Sequence, residues 1–303
     1  MKKHILFSLA IGSLFVLTGC ENTNVWEEEQ YIKQAYLVGI GEEGALVTRN
    51  VNYADESAET FVSVGTSGSL NPDGDIHCTL IEDPSGITSY NQKYKSSTEI
   101  QYQALPAANY NISSMNAVIR AGESYARIPV AIHPEGLHCD SLYALPLKME
   151  SCKEYPVAQA ETVVLFAIKT YNNYSGFYNY IGTNNGASFS LIRNAVAVNK
   201  NTIRIYYTGT EELARAKDTG LTITVNEDNS LTMKPYNADF IEVASINEEQ
   251  PDYYGNYELA DVYGGKKRQR FNFKYKYRFK GESKWEIVDM RSLRSVTLDQ
   301  INE

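Results

Sequence analysis

Along most of the chain, apolar and polar residues alternate in short runs interrupted by Gly, Pro, Asn and Asp. Such runs occur at Thr60–Val64, Ile76–Ile81, Ala117–Arg120, Ala126–Ile132 and Val163–Ile168. Their length, spacing and richness in Val, Ile, Thr and Tyr predict antiparallel strands. The clearest run is Phe271–Phe279. There Phe271, Phe273, Tyr275, Tyr277 and Phe279 share one face, and Asn272, Lys274, Lys276 and Arg278 the other. Strict period two over this length describes a strand with one face in the core and one in water. Lys280-Gly281-Glu282-Ser283 then predicts a hairpin turn into Trp285–Met290. Further strands are expected at Thr202–Tyr207, Leu221–Val225, Leu231–Tyr236, Ile241–Ser245 and Gly255–Leu259. Helical periodicity is confined to Glu211–Lys217 and Asp83–Lys93. Arg120–Glu123 predicts a tight turn with Gly122 at positive φ. Pro146 within Tyr143–Lys148 predicts a sheet edge or a bulge.

The first 31 residues follow another pattern. Lys2 and Lys3 precede an uncharged run, Ile5–Leu17, that closes in Leu17-Thr18-Gly19-Cys20. A basic start, a short apolar stretch and small residues at its end form a secretory signal. That run is too short for a membrane-spanning helix. The ending resembles the bacterial lipobox, which implies cleavage before Cys20 and its acylation. Residues 21–30 are polar and acidic and read as a tether. The expected division is a signal peptide over 1–19, acylated Cys20 and tether over 20–31, a β-sandwich over 32–170 and a Tyr-rich antiparallel β domain over 171–303.

Composition narrows the class further. Charged residues at 21% and hydrophobic residues at 43% describe a globular protein. A net charge of −9 argues against nucleic acid as a partner. Beyond Cys20 only Cys78, Cys139 and Cys152 remain, too few for a disulfide framework, with Cys139–Cys152 the one pairing considered. His77-Cys78 and His138-Cys139 do not make a metal site within a strand, because neighbouring side chains there point to opposite faces. Gly39-Ile40-Gly41-Glu42-Glu43-Gly44 matches the dinucleotide fingerprint in letters. It lacks the following helix, however, and its glutamates would repel phosphate. Asn71–Asp75 with Glu82 and Asp83 offers oxygen ligands that calcium could use, without the order of an EF-hand loop; no cofactor is expected otherwise.

Two surpluses stand out. Eleven of the 28 Lys and Arg residues lie between Gly264 and Arg294, against three acids. The alternation would put Lys274, Lys276, Arg278 and Lys280 on one basic face, suited to acidic glycans, or serving only to discourage edge pairing. Tyrosine is the other, at 23 residues. An aromatic ring can stack on the C–H face of a sugar while a phenol meets its hydroxyls. Tyr171, Tyr174 and Tyr178, then Tyr253, Tyr254 and Tyr257, and Trp285 beside a turn, are the candidate platforms. No GxSxG, HExxH or Walker sequence is present, and nothing singles out a catalytic carboxylate pair.

The stretch from Tyr36 to Ile168 resembles the N-terminal domain of unknown function of Bacteroidetes surface lipoproteins from polysaccharide-utilisation loci. The resemblance rests on Tyr90-Asn91, Leu105-Pro106 with Tyr110, Val118–Glu123 and Tyr143–Leu147. The Ala-Gly-Glu turn followed by Ala126–Ile132 is also similar to Calx-β and immunoglobulin-like sandwiches. In relatives this domain precedes family-18 glycoside hydrolase barrels, whose acidic signature is missing here. From Tyr174 to Arg294 the chain resembles the uncharacterised C-terminal domain of the same lipoproteins. The resemblance implies an all-β protein: an immunoglobulin-like or Calx-β-like sandwich, then a second antiparallel β domain, barrel or sandwich. It implies a non-catalytic glycan-binding lipoprotein, held in the outer membrane through its lipid alone and facing the exterior, beside a SusC/SusD-type importer. The alternatives are an adhesion, fimbrial or importer-associated assembly protein, and a glycoside hydrolase with an unrecognised carboxylate pair.

Overall fold

The computed structural model describes residues 28–39, 45–159, 163–207, 216–247, 253–262 and 264–297. The expected signal peptide, Cys20, the glycine loop beyond Gly39 and residues 211–215 of the helix expected over Glu211–Lys217 lie outside the described residues, and a short helix does follow at Ala216–Thr219.

The first ten strands are β1 (Ala35–Leu37), β2 (Leu46–Asn52), β3 (Ala58–Thr66), β4 (Ile76–Glu82), β5 (Tyr102–Ala104), β6 (Tyr110–Ile112), β7 (Asn116–Ile119), β8 (Tyr125–Ile132), β9 (Leu142–Cys152) and β10 (Val163–Tyr171). They form a sandwich. One sheet has the order β1-β3-β8-β6; the other runs β2-β10-β9-β4-β7, with β5 added to β9. Alternating residues of both sheets meet in a single core that includes Val62, Val64, Leu80, Ile119, Ile128, Val130, Leu147 and Phe166. Helix α1 (Ser85–Tyr94) covers part of the second sheet, burying Ile87 against Ala144 and Leu165. The Arg120–Glu123 turn forms with Gly122 at φ +81°. Its flanking strands, however, belong to opposite sheets, so the turn is an arch over the core.

Pro146 departs from the expected edge. β9 is central, between β10 and β4. The proline is tolerated because its carbonyl accepts Asp83 N–H at 3.0 Å, at the very end of β4. Its missing N–H therefore removes only the last rung of that ladder. A register shift between Thr79 and Leu80 marks a bulge farther along the same pair.

The segment expected to be a tether is docked at its described end. The Glu29 carboxylate accepts the backbone N–H groups of Ser69 (2.6 Å) and Leu70 (3.2 Å) and the Ser69 hydroxyl (2.9 Å). Ser69 N–H leads the causes that hold Glu29 at about 2, well below the usual carboxylate value.

The remaining strands are β11 (Gly176–Asn184), β12 (Ala187–Asn199), β13 (Thr202–Tyr206), β14 (Gly220–Val225), β15 (Leu231–Pro235), β16 (Ile241–Ser245), β17 (Asn256–Val262), β18 (Lys266–Phe279) and β19 (Glu286–Thr297). They make one sheet in the order β15-β14-β13-β12-β11-β19-β18-β16, with β17 also on β18. The sheet curls until its ends meet: Leu231 N–H donates to Gly255 O at 2.8 Å. The result is a near-barrel whose interior holds the alternating face of β18. Phe271, Phe273, Tyr275 and Tyr277 are all buried there with Tyr178, Tyr180, Ile203 and Leu221.

One close approach constrains this curl. Gly182 on β11 is the register partner of Met290 on β19. A Cβ at Gly182 would lie 2.0 Å from the Asp289 carbonyl and 2.9 Å from Met290 Cα. Gly182→Ala should therefore force β11 and β19 apart and lower unfolding stability by about 3 kcal/mol, read from urea denaturation.

Candidate functional site

The two halves join where β10 ends. Asn172, 2% exposed, donates to the carbonyls of Asn199 (2.6 Å) and Thr202 (3.0 Å) and accepts Tyr174 N–H (3.0 Å). Gln269, also buried within the strand face, donates to Asn173 O at 2.7 Å and accepts the Tyr178 hydroxyl at 3.0 Å. Asn52 reaches from the sandwich to Asn173 Oδ1 at 3.1 Å. The crossing segment is thus fastened on both sides by amide side chains.

A second contact joins the halves through the segment before β9. Asp140 accepts from Arg204 Nη1 on β13 at 2.6 Å and from the Tyr236 hydroxyl at 3.1 Å. The Arg204 guanidinium lies over the Tyr236 ring, 4.7 Å from its centroid. Tyr236 also lies 3.4 Å from both Cys139 Sγ and His138 Nε2. Burial pushes the Asp140 carboxyl up, yet the Arg204 hydrogen bond and charge, with Tyr236, hold it below the ordinary value. Burial pushes the Tyr236 phenol up, with Cys139 and Asp140 adding to it. The ligand atoms of His138, Cys139 and Asp140 lie within 4.8 Å of one another, a spacing a metal could use. The chemistry does not suit a cation, because Arg204, which cannot give up its proton, already balances Asp140 and lies 3.9 Å from Cys139 Sγ. The group reads as a charged latch between domains.

Between these two contacts opens a cleft of about 930 Å³. The sandwich contributes Thr48 and Asn50 of β2, Tyr102, Ser141, Tyr143 and the end of β10 through Tyr171. The curled sheet contributes Phe177 of β11, Asn194 and its neighbours on β12, and Arg294 of β19. Phe177 is 69% exposed. It is held outward because Tyr178 and Tyr180, on the other face of β11, are buried in the near-barrel. Among the described residues, no Asp or Glu lines this cleft. Its walls combine aromatic rings, amides and hydroxyls with the cations Lys169 and Arg294.

The structure distributes the sequence-derived candidates unevenly. Tyr171 lies in the cleft. Tyr178 is 1% exposed, so no ligand reaches its ring, and burial raises its phenol well above the ordinary value. Tyr174 and Tyr257 meet edge to face at 5.1 Å and both pack against Phe271. Burial, ahead of its other contacts, pushes Tyr257 up to about 12. These three rings fill the end of the near-barrel instead of forming a platform. Tyr254 is 9% exposed and its hydroxyl donates to Asp289; Tyr253 beside it is 49% exposed. The Trp285 ring is covered by Arg278 at 4.6 Å and Lys276 at 5.2 Å.

The basic face is neutralised in part by acids on strands that the alternation of β18 does not show. Arg278 and Lys280 both pair with Glu242 of β16, at 2.6 and 3.2 Å. Arg270 pairs with Glu258 (2.8 Å) and Lys267 with Asp261 (2.6 Å), both on β17. Lys274 lies 6.0 Å from the Tyr254 ring centroid. The acids considered for calcium are likewise divided: Asp75 pairs with Arg120 at 2.6 Å, Asp83 with Lys148 at 3.7 Å, and Glu82 accepts the Tyr110 hydroxyl at 2.8 Å.

Phe177 and Asn194 were not among the sequence candidates. The signal that finds Phe177 is the alternation of Phe177-Tyr178-Asn179-Tyr180, in which the two tyrosines claim the inner face.

Residues 31–156 match the family of an N-terminal domain, and residues 162–291 match the C-terminal family of the same type. No curated protein matches the chain. A protein of unknown function from Bacteroides ovatus shares the fold at a TM-score of 0.61 and 17% identity, over 89% of this chain and 93% of its own. A multidomain protein including DUF1735 from the same organism does so at 0.59 and 17%, over 89% and 97%. An auxiliary nutrient binding protein from Bacteroides thetaiotaomicron does so at 0.55 and 14%, over 85% and 93%.

Proposed function

Because the chain belongs to the family that joins this N-terminal domain to this C-terminal domain, we propose that it is a non-catalytic, nutrient-binding surface lipoprotein whose ligand is a glycan held between the domains. The observation that carries this reading is the interdomain cleft. It pairs an outward aromatic ring, Phe177, with the Asn50, Asn194, Thr48 and Ser141 side chains. Few precisely placed polar groups around an apolar surface are the ordinary make-up of a small-molecule or oligosaccharide site. Hydrolysis of a glycosidic bond requires two carboxyl groups flanking it. The absence of acids among the described cleft residues supports binding without cleavage.

The likeness in fold to an auxiliary nutrient binding protein agrees with this reading. Cys20, acylated and anchored in the outer membrane, would place the cleft at the cell exterior beside a SusC/SusD-type importer. Protease treatment of intact cells would then degrade the protein, and protection would refute the exterior placement.

The binding test uses a soluble form lacking residues 1–20 and a panel of neutral and acidic polysaccharides at two salt concentrations. Salt-tolerant binding to a neutral glycan is expected, because the cleft offers an aromatic ring, amides and hydroxyls, while Lys267, Arg270 and Arg278 of β18 are paired with acids. Phe177→Ala should weaken that binding about tenfold, the loss of one exposed aromatic anchor. Indifference to every glycan, with co-purification of one protein partner, would replace this reading with an assembly role.

A further inference from the structure

Cys78 and Cys152 face each other across the ladder between β4 and β9, where they are register partners. One residue farther out on each strand, Lys153 N–H donates to His77 O at 3.0 Å. That bond makes Cys78 and Cys152 a non-hydrogen-bonded pair, the kind whose Cα atoms approach to about 4.5 Å. The separation falls within the range of about 4.4–6.8 Å that a disulfide spans. The two Sγ atoms are 3.2 Å apart, both as free thiols. Closing to a bond of about 2.0 Å takes side-chain movement of roughly 1 Å. Cys139, the partner considered for Cys152, is held instead at the interdomain latch, 3.4 Å from the Tyr236 hydroxyl.

We propose that Cys78 and Cys152 are a redox pair that closes to an intramolecular disulfide when a small disulfide oxidant is available. The two thiols differ in access. Cys78 is 1% exposed within the sandwich core, whereas Cys152 is half-buried at the end of β9. Cys152 is therefore the thiol that meets the oxidant. Its thiolate attacks one sulfur of oxidised glutathione, forming a mixed disulfide and releasing one glutathione thiol. The Cys78 sulfur, after giving up its proton, then attacks the Cys152 sulfur and releases the second. Two protein thiols are oxidised, one glutathione disulfide is reduced to two thiols, and both protons are accounted for. Burial and the adjacent Cys152 thiol raise the Cys78 thiol far above its usual range, which makes the second step the slow one.

The bond would link cysteines 74 positions apart in the chain and fix the far end of β9, whose first residues line the cleft. The inference does not rest on glycan binding.

The test is to refold the full chain from denaturant with oxidised and reduced glutathione, alkylate it in denaturant, and map the peptides. Refolding removes burial of Cys78 as an obstacle. A Cys78–Cys152 cross-linked peptide, with Cys139 carrying the alkyl label, is the expected result. The urea midpoint of that form should exceed that of the reduced protein. In Cys78→Ala, Cys152 should stop at the glutathione adduct. Recovery of both thiols as alkylated peptides, a glutathione adduct on Cys152 in the unaltered chain, or pairing of either cysteine with Cys139 would overturn the proposal.

Discussion

Methionine in place of Arg204 is expected to lower the unfolding free energy by about 3 kcal/mol at neutral pH, because it leaves a half-buried carboxylate without its partner. The side chains of Arg204 and Asp140 are 9% and 24% exposed, so water screens the pair only partly. Methionine keeps much of the packing volume over Tyr236, which isolates the loss of charge. The pH dependence carries the sign. Arg204 holds Asp140 below its ordinary value in the folded state. The pair thus contributes stability above the unfolded value of about 4, lost as pH falls through the folded value. Without Arg204, burial acts on Asp140 against the Tyr236 hydrogen bond and His138 alone and disfavours its charged form. Protonation then relieves the variant while it penalises the natural protein. Urea midpoints at pH 7 should be well separated, and those at pH 3 should converge. A second substitution, Asp140→Asn, should restore much of the stability at pH 7. A gap that stays constant across this range, or no recovery in the double variant, would show that the latch is not electrostatic.

That latch also marks where the sequence stops being informative. The inner face of β18 was legible, because period two over nine residues has only one physical reading. The hairpin at Gly281, the positive φ of Gly122 and most strands were legible for similar local reasons. The β11–β12 hairpin was missed although Asn185-Gly186 carries both residues at positive φ, at 48° and 82°. This is the dipeptide a two-residue turn favours. What could not be read was partnership. Glu242, Glu258 and Asp261 are distant from β18 in order along the chain, or separated by loops. Only the register places them opposite Arg278, Arg270 and Lys267. The same holds for Cys78 and Cys152, and for a cleft whose two walls come from different domains. Pro146 misled because a central strand can accept proline where its neighbour has already ended.

Alanine at the adjacent positions 177 and 178 should give opposite outcomes, the second of which is the larger effect on stability. Tyr178→Ala removes a ring that is 1% exposed and sits 5.5 Å from Phe271, in a tilted contact with Tyr180. It also deletes the hydroxyl that donates to Tyr174 O at 2.8 Å and to Gln269 at 3.0 Å. A cavity in a packed aromatic cluster costs about 3–5 kcal/mol, and Gln269 would lose one partner of a buried amide that also holds Asn173. The crossing segment loosens with it, so binding in the cleft should fall together with stability. Phe177→Ala removes an exposed ring from the same strand. Stability should change by about 0.5 kcal/mol at most, while affinity for a bound glycan falls. Tyr178→Phe separates the two contributions at the buried site: it keeps the ring and should recover all but about 1–2 kcal/mol. Chemical denaturation and glycan titration of the three variants decide the matter. Loss of stability at Phe177 comparable to that at Tyr178 would mean that the outer face of β11 is covered, and the cleft would then not be the binding surface.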